Sequence, residues 1–313
     1  MLAFVARRLA FAVVTVLVAV LISFLLVHAS DTTPGAVRLG AGATAADIAA
    51  ENARLGWDDP LWQQFGRYLG QLVHLDLGTS LIDGRDIESD LAARLPVTAS
   101  VAVLATLLSG LVGVLLGVAA AVRGGRFAKA ITTSSGIALS LPQFWIGVLL
   151  VYVLSLQAGL LPATGYVPFT TNPGRWLDSI TLPVLALTVG GAAIVARTSA
   201  ASMREVLGAE HIRTLRATGT PEWRIRYVHA LRSAAVPVVA VLGIQFIALF
   251  GGSVIIENLF ALPGLGQASQ AAASSGDFPA LVGVVVVATV VVVLVNLLLD
   301  LVTAALDPKV RAA

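Results

Sequence analysis

Between Arg197 and Arg232 the chain sets down seven arginines, the densest charge in a sequence where only 12% of residues are Asp, Glu, Lys or Arg. These guanidiniums offer charge, forked hydrogen bonds and docking, but no nucleophile and no metal ligand. Elsewhere the groups that do covalent chemistry are missing or scattered. There is no cysteine, which excludes thiolate catalysis and cysteine metal sites. No GxxxxGK[ST] run cradles a nucleotide and no HExxH spacing holds zinc. The four histidines, His28, His74, His211 and His229, lie apart and outside every long apolar run. An intramembrane serine protease lacks its base partner, and an ion-coupled transporter lacks mid-membrane ionisable groups. No cofactor is expected on this chain, and no nucleic acid. If it moves something, the energy enters from a partner.

The arginine-rich segment reads as two short helices. The first covers about Glu205–Ala217 and stops at Gly219, the residue type best able to turn left-handed after a helix. The second restarts with Thr220 as N-cap, Pro221 at the first helical position and Glu222 in the first turn. A rigid helix–turn–helix suits docking onto a protein; a basic loop touching anionic lipid is the plainer alternative.

The elements that must carry this segment are set by composition. Residues of the AVILMFWYC set make up 57% of the 313 residues, and the mean hydropathy is +0.89. Soluble domains carry about 25% charged residues, so much of this surface faces lipid. Six continuous apolar stretches reach the roughly 20 residues that span a bilayer: about 9–27, 97–122, 130–156, 181–203, 236–256 and 279–303. They are not alternating, which excludes a transmembrane β-barrel. Arg197 and Asp300 are the only charges inside them, near span ends. Pro96, Pro183, Pro237 and Pro279 sit at or near span starts, and Pro142, inside the third, is expected to kink its helix.

Lys and Arg divide 14 to 6 between alternate sides, which places both termini in the cytoplasm of an inner (plasma) membrane, multi-pass protein. Val27-His28-Ala29 resembles a signal cleavage site, but the apolar run before it is long enough for a retained anchor. The organisation expected is 1–28 as cytoplasmic N-terminus and first span, 29–95 as an extracytoplasmic segment, 96–303 as a five-helix core with a cytoplasmic loop at 204–236, and 304–313 as a cytoplasmic tail. The 29–95 segment, with five basic and ten acidic residues, holds helix-like runs at Ala45–Leu55 and Pro60–Leu75 and a turn-rich Gly78–Gly84. It is too small for an independent enzyme and reads as a packed cap.

The order of residues in the loop adds a resemblance. Arg213-Thr214-Leu215, Arg216-Ala217-Thr218-Gly219, His229-Ala230-Leu231-Arg232 and Pro237 resemble the EAA loop of permease subunits of binding-protein-dependent ABC importers, peptide/nickel branch. Leu215 departs from the usual alanine. Further landmarks run the length of the chain: Arg7-Arg8-Leu9, Asp76-Leu77-Gly78-Thr79-Ser80, Arg94-Leu95-Pro96-Val97-Thr98, Leu141-Pro142-Gln143-Phe144, Leu161-Pro162-Ala163-Thr164-Gly165, Pro263-Gly264-Leu265-Gly266 and Leu306-Asp307-Pro308-Lys309-Val310-Arg311. Together they resemble the B-type subunit of oligopeptide and dipeptide importers.

That resemblance implies an all-α membrane protein with six transmembrane helices of the type I ABC importer (MetI-like) kind and an extracytoplasmic segment between helices one and two. It implies a non-hydrolysing transport subunit that forms half the path for a peptide. The implied partners are a second, similar permease, two ABC ATPases carrying the ATP and Mg, an extracytoplasmic solute-binding protein, and membrane lipid. A non-transporting scaffold or receptor recruiting a cytoplasmic partner is the alternative. Arg213, Thr214, Leu215 and Gly219 are expected at the core of the ATPase joint, with Arg216 and Glu222 at its edge. Leu215 is either the apolar knob of that joint or packing against the protein's own span ends.

Polar positions sharing helix faces are candidates for the path. Gly136, Ser140, Gln143 and Gly147 follow 4-3-4 spacing in span three; Gln245 lies in span five and Asn296 in span six. Helix–helix packing is the competing role for each, and the role expected of Gly113 and Gly117. Pro263, Gly264 and Gln267 are candidate contacts with the binding protein, against a simple capping loop.

Overall fold

A computed structural model describes residues 2–29 and 32–306. Helices follow in order: α1 (Leu2–His28), α2 (Pro34–Leu39), α3 (Ala45–Leu55), α4 (Leu61–Val73), α5 (Ile87–Arg123), α6 (Gly125–Ser140), α7 (Gln143–Leu150), α8 (Pro173–Gly208), α9 (Glu210–Ala217), α10 (Glu222–Arg224), α11 (Leu231–Gly252), α12 (Val254–Leu259), α13 (Leu265–Ser275) and α14 (Phe278–Leu306). π-Helical turns extend α7 over Val151–Gln157 and join α10 to α11 over Ile225–Ala230. Among the described residues the β-structure is a single bridge, Thr79 to Asp86. Five helices are long and apolar enough to cross a membrane, or six when α6 and α7 count as one broken span.

Three expectations need correction. Span three is not one kinked helix: the chain turns by 96° between α6 and α7. Leu141 and Pro142 both adopt extended backbone there (ψ 128° and 137°). Proline disfavours helical geometry in the residue before it, so Leu141-Pro142 breaks the ladder rather than bending it. Ser140 and Gln143 therefore do not share a helix face. Secondly, Pro96, Pro183 and Pro237 lie inside α5, α8 and α11, not at their starts. Those helices begin in polar sequence well before the apolar run, so hydropathy marks lipid contact rather than helix ends. Pro279 is the second residue of α14, as expected. Thirdly, the helix expected over Glu205–Ala217 is interrupted at Ala209, whose extended backbone (ψ 154°) separates α8 from α9.

The chain forms two compact units, neither of which is one continuous segment. The larger holds Ala99–Leu262 and, at the C-terminal end of the described chain, residues 294–306. Its centre is α8, 78% of whose apolar window is buried, against 11–39% for the other candidate spans. Small residues make that possible. A Cβ at Gly113 would sit 2.5 Å from the Val195 Cβ, and one at Gly117 would sit 2.6 Å from the Ala196 carbonyl oxygen. The pair brings α5 onto α8 as a packing seam, the role expected of it. Likewise a Cβ at Gly147 would come within 2.8 Å of Leu259.

The smaller unit holds Leu2–Thr98 and Pro263–Val293. Its helices α3 and α4 fall where the sequence puts them. Thr44 caps α3 with a reciprocal box to Asp47, and Gly56 ends it left-handed at φ +69°. Val20, Val27, Val282 and Val286 form a buried core, packed on by Trp57, Phe65, Tyr68 and Leu72. The His28 ring stacks on Trp57 at 4.1 Å, and its Nε2 lies 2.9 Å from the Gln64 side-chain oxygen Oε1. Asp277, also buried, accepts from Ser80 Oγ at 2.5 Å and from the Leu81 N–H at 3.2 Å. The turn-rich Gly78–Gly84 passage is thereby fixed to the loop before α14.

Candidate functional site

The arginine-rich segment is the end of the most buried helix carried out into an exposed surface. Below Gly208 the chain steps through Ala209 into α9, which ends in a full Schellman closure. The Gly219 N–H bonds the Arg216 carbonyl at 3.1 Å, the Thr220 N–H bonds the Leu215 carbonyl at 3.0 Å, and Gly219 takes φ +79°. This is the left-handed turn the sequence points to. Thr220 is not the N-cap of the next helix. Pro221, still extended (ψ 141°), takes the capping position, with Glu222 the first helical residue.

What holds this surface to its unit is apolar. Ile212 from α9 and Ile225 from the π-helical turn are both fully buried, in a cluster with Val118, Met203, Ala230 and Ala234. Each such side chain contributes about 1.5–3 kcal/mol on burial from water. Leu215 is half-buried and packs on that same cluster beside Val206 and Leu207. Its side chain belongs to the protein's own core edge, which leaves little of it for a knob. The apolar group that does project is Trp223, 62% exposed, with Tyr227 and Val228 also exposed nearby. Sequence reading passed over it, although a tryptophan directly after Pro-Glu in a polar loop is itself a signal: an aromatic there has no core to enter.

Charge is arranged unevenly on the same surface. Glu222 accepts from Arg216 Nε at 2.7 Å and from Arg226 Nε at 3.0 Å. The Arg216 hydrogen bond, with the Coulomb pull of both arginines, holds the Glu222 carboxyl below its ordinary value. Arg216 and Glu222 thus satisfy each other and brace the turn. Arg213 and Arg224 are exposed and have no ion pair among the described residues. Thr214 is exposed, its hydroxyl donating back to Glu210 at 3.3 Å.

The other predicted positions scatter. Ser140 is exposed and donates to the Gly136 carbonyl; Gln143 is exposed across the break, near Gly190. Gln245 is buried, and a Cβ added at Gly191 would run into both its amide and the Ser109 hydroxyl, so it sits in a packing seam. Asn296 is exposed on α14. Gln143 and Gln245 thus lie beside adjacent glycines of α8, Gly190 and Gly191. In the α12–α13 connection Pro263 is exposed and Gln267 half-buried, while Gly264 is buried with Leu265, whose N–H bonds Thr98 Oγ1 at 2.8 Å. The landmark at Leu306–Arg311 lies outside the described residues past Leu306.

Residues 113–312 match the family described as binding-protein-dependent transport system inner membrane component, and residues 1–102 match its N-terminal counterpart. A peptide transport system permease protein of Brucella abortus is 36% identical over 312 residues, covering 99% of both chains. The dipeptide transport system permease protein DppB of Escherichia coli K12 is 33% identical, again over 99% of each. Among solved structures, inward-facing forms of the MetNI methionine ABC transporter superpose with TM-scores of 0.55 and 0.58 at 21% identity, over 69% and 70% of this chain and 96% of theirs. That likeness concerns the fold. The chain belongs to the inner membrane components of binding-protein-dependent transport systems, as a multi-pass, non-catalytic transport subunit.

Proposed function

We propose that this chain forms half of the translocation path for di- or oligopeptides in an ATP-driven importer. The cargo class rests on relatives named for peptide and dipeptide transport that align along the whole chain. A second permease of similar build completes the path, an extracytoplasmic solute-binding protein delivers the peptide, and two cytoplasmic ABC ATPases carry the ATP and magnesium. Both termini and the α9–α10 surface face the cytoplasm, as the excess of Lys and Arg on that side supports.

The observation that carries coupling is the joint itself. Helix α8, the most buried in its unit, runs into α9 through a single extended residue, and α9 is clamped by Ile212 and Ile225. A displacement of the exposed surface is thus passed to α8 as a rigid movement, which is what ATPase closure has to drive. Trp223, exposed on the same surface as Arg213 and Arg224, supplies with them the aromatic and arginine side chains that interface hot spots favour. Affinity purification from native membranes tests the reading. The wild type is expected to bring down two ATPases and a second permease, and Gly219→Val to lose them while still inserting. A β-branched side chain at φ +79° costs about 1–2 kcal/mol and reshapes the closure. Recovery of the chain alone from a gentle preparation would return the protein to the scaffold reading.

A further inference from the structure

Arg197 and Arg204 lie seven residues apart on α8, about 10 Å along its axis, and both are exposed, while Ser199, Ala200, Ser202 and Met203 between them are buried. Neither has an ion pair among the described residues, and no bond joins Arg204 to the neighbouring Glu205. With Thr132 of α6 they line a cleft of about 370 Å³ whose floor is Ala200 and Ala201. The Thr198 hydroxyl, also in the lining, makes no hydrogen bond among the described residues. Towards the middle of α8, Ile194, one turn before Arg197, is exposed and apolar. The stripe therefore runs from hydrocarbon to guanidinium to guanidinium. Arg126 and Lys129 are exposed on the turns of α6 that lead to Thr132, outside the cleft's lining.

We propose that this cleft between α6 and α8 binds the phosphodiester headgroup of an acidic phospholipid, with Arg197 and Arg204 as charged ligands and Thr198 as a hydroxyl donor. A guanidinium at a span end is costly against hydrocarbon alone and is satisfied by phosphate, whose oxygens match its fork. The apolar-to-cationic order fits an amphiphile with acyl chains beside Ile194 better than a peptide carboxylate, which brings no such tail. Basic pockets between transmembrane helices on the cytoplasmic side bind acidic headgroups in this way. The leaflet rests on the orientation proposed above; the phosphate chemistry does not, and neither depends on the cargo.

The test is lipid retention by the purified full-length protein, washed in detergent and read by mass spectrometry after exchange with phosphatidylglycerol or phosphatidylcholine. Wild-type protein is expected to retain phosphatidylglycerol selectively, less so as salt rises. Arg197→Gln with Arg204→Gln should lower retention roughly 30-fold, from about 1 kcal/mol per cation, while Arg175→Gln leaves it unchanged. Should the double Gln variant not insert, Arg197→Lys with Arg204→Lys keeps the charge without the fork and is expected to retain part of the selectivity. Equal retention by wild type and the Gln variant overturns the proposal. So does displacement of lipid by inorganic phosphate at millimolar level, which makes the site a free-anion site. Displacement by a dipeptide but not by its C-terminal amide also overturns it, and assigns the cleft to cargo.

Discussion

The segment from 29 to 95 and the segment from Arg197 to Arg232 are both rich in arginine, yet they handle it in opposite ways. In the first, all five arginines hold a carboxylate: Arg38 and Arg54 share Glu51, Arg67 has Asp59, and Arg85 and Arg94 meet at Asp90. In the second, Glu222 braces Arg216 and Arg226, while Arg197, Arg204, Arg213 and Arg224 have no ion pair among the described residues. Exposed pairs contribute little to stability, so the contrast is not about which region is held together better. Both are held by apolar burial, around Val20 and Val282 in one and Ile212 and Ile225 in the other. The difference lies in what each surface offers outward. A surface that neutralises its own charge is complete without a partner; one that leaves guanidiniums open beside an exposed tryptophan is built to be covered.

Breaking the anchor should hurt most. Ile212→Ala empties a fully buried site, and such changes cost about 2–5 kcal/mol. Hydrogen exchange is expected to speed up across residues 209–230 and stay unchanged in α3 and α4. Uniform acceleration would mean that the joint is not a local unit. Next in size, Trp223→Ala should weaken ATPase binding by about 2 kcal/mol, roughly 30-fold, with no loss of thermal stability. A drop in stability with affinity intact would reassign Trp223 to packing.

Smaller effects probe the charge contrast. The Glu222 carboxyl is depressed in the folded protein by Arg216 and then Arg226. Its contribution is therefore fully present above the ordinary glutamate range and is lost as pH falls through the lowered value. Lowering the pH should loosen the α9–α10 turn in hydrogen exchange, and Glu222→Gln should remove that dependence while loosening the turn at neutral pH. If acid loosens the Gln variant equally, another group is responsible. The least change is expected at Tyr68. Its buried hydroxyl has no hydrogen-bond partner among the described residues, and burial pushes the phenol up to about 12. Tyr68→Phe removes the orphan and should leave the smaller unit as stable or slightly more stable in thermal melts. A clear loss would show the hydroxyl to be satisfied in the membrane-bound protein.

Much of this was legible from residues alone. Continuous apolar runs locate the membrane helices because lipid demands about 20 such residues whatever their neighbours. Thr44 with Asp47, and Gly219, mark helix ends because capping and left-handed turns are settled within a few residues. Even the site of the break at Pro142 could be read, though not its size. Leu215 shows the limit. Its type suits an exposed knob and a core edge equally, and only the positions of Val206, Leu207 and the buried cluster decide for the core. Trp223 is the converse, an aromatic left exposed and outside the cluster around Ile212 and Ile225. Gln245 reads as a path residue by spacing and is placed in a seam with Ser109 and Gly191, on helices far away in sequence.

The sequence by itself determined an all-helical membrane protein, its family, and an arginine-rich segment turned by Gly219, because hydropathy and turn chemistry are local properties of the chain. The tertiary structure alone decided which arginines stay open, which apolar side chain faces outward, and that α6 and α7 part company at 96°. Those outcomes depend on the order in which non-local neighbours fill the available space and pair the available charge.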